Sequence, residues 1–159
     1  MRSVSQSASA LPSNLPQADL VGQLQASVQD AGDAASARDR VETMDEANTI
    51  TRLVADLSAE FQGQLPYEAK MLAYHGRQLE LGLVAGRPSM LAQSANALQS
   101  AWTRLQPAME RRGQVDEAKR FTDIVVQLAG ARRPADYVAP TRAVLSEADR
   151  IEKALGQRP

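Results

Sequence analysis

Residues 88–112 read PSMLAQSANALQSAWTRLQPAMERR. Within them Leu91, Ala95, Leu98, Trp102, Leu105 and Met109 recur at spacings of 4, 3, 4, 3 and 4. That rhythm lays an apolar stripe down one face of an α-helix, close to a heptad seam. A stripe of this kind has to be covered by something. Similar stripes recur on both sides of it, so the pattern predicts an all-α fold: a mainly antiparallel helical bundle with four long core helices and one or two shorter flanking ones.

Working outward, Gly86 suits a left-handed cap on the helix before the stripe, and Pro88 suits the first turn of the stripe itself. Pro107 lies inside it, where the ring removes one hydrogen bond, so a kink or an early end near Leu105 is expected. Gly113 closes the segment. Upstream, a helix over about 67–85 carries Met71, Leu72, Leu79, Leu83 and Val84, after the breakers Gly63 and Pro66. A longer one over about 34–62 carries Val41, Met44, Ala47, Ile50, Leu53, Val54, Leu57 and Phe61, with Asp33 as its N-cap. A first helix over about 16–30 ends at Gly32. Downstream, helices are predicted over about 114–129, from Val115, Ala118, Phe121, Ile124, Val125 and Leu128, and over about 137–155, from Val144, Ala148, Ile151 and Leu155. The connections are short, which makes successive helices antiparallel. Segments 31–48 and 85–102 align at an offset of 54, each with a glycine between two helices, an echo of a duplicated hairpin.

Composition sets the limits. A chain of 159 residues fits one domain, predicted over 16–156, with residues 1–15 a linker or mature N-terminal segment and 157–159 a tail. One Trp, three Tyr and two Phe leave the core to aliphatic side chains. The net charge of −1 gives no long-range field toward nucleic acid or an anionic membrane. Eighteen basic residues include only Lys70, Lys119 and Lys153 as lysines, a usage that points to a GC-rich bacterial genome rather than to phosphate contacts. With no cysteine, disulfides, thiolate metal sites, iron–sulfur clusters and thiol catalysis are excluded. No apolar run reaches the roughly 18 residues of a membrane span. Residues 1–17, rich in Ser, Ala, Gln and Pro, lack the apolar centre of a secretory signal. They read as the start of a mature extracytoplasmic, periplasmic protein or as a linker, and are compatible with a tether to a membrane or another domain.

The candidate sites are few. His75 is the only histidine and follows Met71 by one helical turn. Residues at i and i+4 share a face, so thioether and imidazole could converge on copper or serve a haem, with Met44, Met90 or Met109 as a third donor. The competing reading is a histidine at the edge of the core, with methionine as filler. Tyr67, Tyr74, Arg77 and Glu80, with His75 and Trp102, are the candidate lining of a small-ligand pocket, although the seam position of Trp102 makes it first a core anchor. A di-iron site fails because Glu-x-x-His is needed from two helices. A serine triad lacks its nucleophile elbow, and no glycine-rich phosphate loop precedes a helix. The acidic pairs Asp45-Glu46, Asp116-Glu117 and Glu147/Asp149 read as solvated helix surface. Arg111-Arg112 and Arg132-Arg133 suit helix carboxyl ends and have no interleaved aromatics, so nucleic acid is not the expected partner. These features predict a non-enzymatic binding or interaction module whose partner is another protein or a small ligand. Its signature would be an apolar face left exposed on the first or sixth helix. The alternative is a copper- or haem-binding bundle using Met71 and His75.

Overall fold

The computed structural model describes residues 18–62 and 64–156. Among them all regular structure is helical. Helix α1 spans Ala18–Ser36, α2 Arg40–Gln62, α3 Gln64–Val84, α4 Pro88–Arg111, α5 Val115–Gly130 and α6 Val138–Gly156, with a 3-10 turn at Pro134–Tyr137 leading into α6. The fold is the expected all-α, mainly antiparallel bundle. No helix among the described residues is long and apolar enough to cross a membrane. The expected linker over 1–15 and tail over 157–159 lie outside the described residues.

The chain divides into two compact units, residues 1–61 and 62–159. In the second unit α3 packs on α4 and α6, and α5 packs on the same two helices, so the four close into a ring. All six spaced residues of α4 are buried. They meet Leu72 and Leu79 of α3, Phe121 and Leu128 of α5, and Val144 and Ile151 of α6 in one core. Covering each Leu, Ile or Phe contributes roughly 1.5–3 kcal/mol, which is what holds four short-linked helices together. Two glycines of α3 set how closely its neighbours approach. A Cβ on Gly76 would stand 2.7 Å from Val144 Cγ1, and one on Gly82 would stand 2.9 Å from Leu91 Cδ2.

The turns explain where the helices stop. Gly86 and Gly113 adopt positive φ, 63° and 77°. After α3, Arg87 N–H bonds Gly82 O at 2.9 Å and Gly86 N–H bonds Leu83 O at 3.4 Å. After α4, Gln114 N–H bonds Met109 O at 3.1 Å and Gly113 N–H bonds Glu110 O at 2.9 Å. Both are Schellman caps, in which a left-handed residue lets the chain satisfy the last carbonyls. Pro107 does not end α4, which continues to Arg111. Its side chain faces solvent, where water can take the carbonyl that the ring leaves without a donor. Pro66 falls within the first turn of α3, where a missing N–H costs nothing, so the helix starts earlier than predicted.

In the first unit the boundary between helices differs from expectation. Gly32 does not end α1, which runs through it to Ser36, with Val21, Leu24, Ser27, Ala31 and Ala34 buried along one stripe. The break comes at Arg38, which takes the left-handed conformation at φ 60°. Asp39 N–H bonds Ala34 O at 2.9 Å and Arg38 N–H bonds Ala35 O at 3.1 Å, another Schellman cap. Asp39, not Asp33, is the N-cap of α2: its Oδ1 accepts from Glu42 N–H at 3.1 Å. The structural counterpart of Gly86 is therefore Arg38, and the alignment of 31–48 with 85–102 does not place equivalent turns together. On α2, Leu53 is buried while Val54 and Phe61 are exposed, Phe61 at 85%. That part of the predicted stripe faces solvent.

Candidate functional site

Two places in the four-helix unit gather polar chemistry against the core. The first lies along the α3–α4 seam. Glu68 is one turn before Leu72 and two turns before His75, so it shares their inward face. It is 2% exposed. Arg104 reaches across from α4 and grips it with two parallel bonds, Nε to Oε1 at 2.7 Å and Nη2 to Oε2 at 3.0 Å. This bidentate fork is the geometry in which a guanidinium matches a carboxylate best. The Arg104 guanidinium is made more basic by its bond to Glu68. His75 is half-buried beside this pair, its ring edge-on to Tyr74 at 5.0 Å. Its pKa is lowered to about 4, first by burial and then by the charge of Arg104, with Glu68 opposing. The imidazole is neutral at pH 7.

Met71, 9% exposed, lies in the core on the same side of α3 as His75. The facing pairs Glu68 with Arg104 and Gly82 with Leu91 fix the register of α4, and place His75 opposite the neighbourhood of Ala97. Met90 is then about 10 Å and Met109 about 18 Å away along the helix axis. Neither lies level with His75. Met44 belongs to the other unit. Among the described residues no three His, Asp or Glu gather as a metal site.

The other predicted lining residues do not converge. Trp102 is buried; its Nε1–H donates to Thr122 Oγ1 at 3.0 Å, and its ring tilts against Phe121 at 4.7 Å. It anchors α4 to α5, its polar atom satisfied. Tyr67 and Tyr74 pack partly buried against the core, whereas Arg77 and Glu80 face solvent. Of the acidic pairs, Glu117, Glu147 and Asp149 are held in ion pairs. Glu147, largely buried, joins Arg120 of α5 and Arg150 of its own helix. Glu117 bonds Arg120 as well, and its carboxyl is held below the usual range by its own backbone N–H and then by that arginine. Asp149 pairs with Lys153.

The second place is a cleft of about 330 Å³ at one end of the bundle, formed by the start of α4, the end of α5 and the 3-10 turn. Leu91, Ala95, Leu128 and Ala131 supply its apolar lining; Asn96, Arg132 and Tyr137 supply polar groups. Asp136 builds the turn that presents them. Its Oδ2 accepts from Arg132 N–H at 3.1 Å and Arg133 N–H at 2.9 Å, and its Oδ1 from Arg133 Nη2 at 3.0 Å. These donors, the Arg133 side chain first, lower its pKa to about 2. Arg132 Nη1 donates to Ala129 O at 3.3 Å and Ala131 O at 3.4 Å, which ties the guanidinium to the carboxyl end of α5.

Sequence reasoning missed Glu68, Arg104, Asp136 and Tyr137. A signal for Glu68 was present: an acidic residue inside an apolar stripe, seven before the histidine. For the cleft there was none, because it is assembled from the ends of three elements. No protein-family model, curated protein or solved structure matches the chain.

Proposed function

We propose that this chain is a non-enzymatic binding module and that the cleft at the α4–α5 end is its site for a small molecule. The observation that carries the reading is the cleft itself, a concavity of about 330 Å³ in which Leu and Ala side chains stand beside three polar ones. Small-ligand sites are concave and furnished with a few convergent polar groups, and they begin near this volume. The binding of a protein partner along the first or sixth helix has less support. The large exposed apolar residues among those described include none on α1 and only Val138 on α6. The seam chemistry also favours the cleft, since Glu68 and Arg104 already hold each other.

The test is a blockade. Ala92 lines the cleft yet is exposed, so Ala92→Trp fills the space from outside the core. A small-molecule library is screened against the ¹⁵N-labelled chain. Binders should shift the amides of Ala92, Ala95, Ala129 and Ala131 in the wild type and leave Ala92→Trp unmoved. Shifts confined to other residues, or shifts that survive the plug, would sink the reading.

A further inference from the structure

We infer that the cleft takes a short apolar molecule ending in a carboxylate, and that Arg132 receives the carboxylate through its Nε and Nη2 donors. This rests on the reading of the cleft as a ligand site. Three observations carry it. The first is sign: among the residues lining the cleft, Arg132 alone is charged. The nearby carboxylate, Asp136, is not among the lining residues, and its oxygens are taken by two backbone N–H groups and the Arg133 side chain.

The second is the unused fork. A guanidinium has five N–H donors in fixed geometry. Nη1 of Arg132 is committed to two carbonyls of its own chain. Among the described residues its Nε and Nη2 carry no hydrogen bond or ion pair. That same edge is the one with which Arg104 holds Glu68 at 2.7 and 3.0 Å. The molecule thus shows the carboxylate-binding edge once filled and once open, and the open copy is steered by its backbone anchor. The third is size. A volume of about 330 Å³ has room for about ten water-sized groups, enough for an eight-carbon acid.

Octanoate, octan-1-ol and octylamine separate these ideas because they share a chain and differ in the head. Each is titrated into the full ¹⁵N-labelled chain at pH 7. Octanoate should shift the amides of Ala92, Ala95, Ala129 and Arg132 with a Kd at least ten-fold below that of octanol, and octylammonium should bind more weakly than either. Arg132→Ala should bring octanoate to the octanol level. Arg132→Lys, which keeps the charge and loses the fork, should recover only part of the difference. Equal affinities for octanoate and octanol in the wild type overturn the carboxylate inference while the cleft stands, and that comparison needs no variant to fold. Octanoate binding unchanged by Arg132→Ala overturns it too. If none of the three probes moves the cleft amides, or Ala92→Trp fails to block them, the ligand site itself is refuted.

Discussion

Two arginines of the same bundle do opposite things. Arg104 sits two turns before the end of a helix, reaches a carboxylate that is almost fully buried, and uses its best edge on it. Arg132 sits just past the end of a helix, is tied down by its least directional contacts, and keeps that edge open. A buried Glu68 demands a partner, because an uncompensated charge in the interior is costly. Nothing buried demands Arg132. Charge spent inside the fold maintains the fold, whereas charge left over at a concave surface is available to a ligand. The contrast predicts that perturbing the seam changes stability and perturbing the cleft does not.

The largest expected effect is at the seam and is set by pH. The folded pKa of His75, about 4, lies below its unfolded value of 6.5. Between those values the unfolded chain binds the proton and the folded chain does not. The stabilisation is therefore complete above pH 6.5 and is lost as the pH falls through the window toward 4. At pH 4.5 the loss amounts to about 2–3 kcal/mol. Urea unfolding at pH 7 and 4.5 should show that much more weakening in the wild type than in His75→Gln, which has no proton to gain. Equal weakening of both would mean that the imidazole is not held out of water.

Next is Arg104→Ala. It leaves Glu68 buried without its fork, but solvent reaches the half-exposed site that the arginine vacates, so the full cost of a broken buried pair is not expected. A loss of about 2 kcal/mol is the expected size. The same variant should raise the pKa of His75, because a cation that opposes its protonation is gone and Glu68 remains. An NMR titration of the imidazole proton reads that shift independently of stability. A His75 pKa that does not move would detach the histidine from the pair.

How much of this was legible follows from the range over which each feature is encoded. The α4 stripe is local and periodic, and all six of its predicted residues are buried. Gly86 and Gly113 were readable as turns because glycine enters the left-handed region freely. Arg38 makes the same turn with a side chain that gives no warning, and Gly32, which does look like a stop, lies within α1. Local preference was overridden there by the neighbouring sequence: Asp39 and Glu42 begin a new helix. Arg38→Gly should consequently stabilise the chain by about 0.5–1 kcal/mol in thermal unfolding, relieving left-handed strain at the expense of a more flexible unfolded state. The Glu68–Arg104 pair spans 36 positions, and periodicity says which residues face inward but not which charge they will meet. The cleft is more distant still from any local pattern, since it exists only once the ends of α4 and α5 and the 3-10 turn come together.

The smallest effect on stability belongs to Arg132→Ala, and its smallness is the point. The side chain is exposed and makes only two long contacts, 3.3 and 3.4 Å, to carbonyls that water can also satisfy. Surface changes away from buried networks fall within about 0.5 kcal/mol of neutral. The midpoint of denaturant unfolding should therefore barely move, while Arg104→Ala lowers it clearly under the same conditions. A loss from Arg132→Ala as large as that from Arg104→Ala would erase the distinction between the two arginines, because it would mean that Arg132 is spent on the fold after all. A neutral result leaves the guanidinium with no structural duty large enough to explain its placement at the rim of a cleft. Asp136→Asn sharpens the same argument. It weakens the acceptor that holds the 3-10 turn, so it should blunt octanoate binding without touching the seam. The pKa of His75 should then be identical in Asp136→Asn and the wild type.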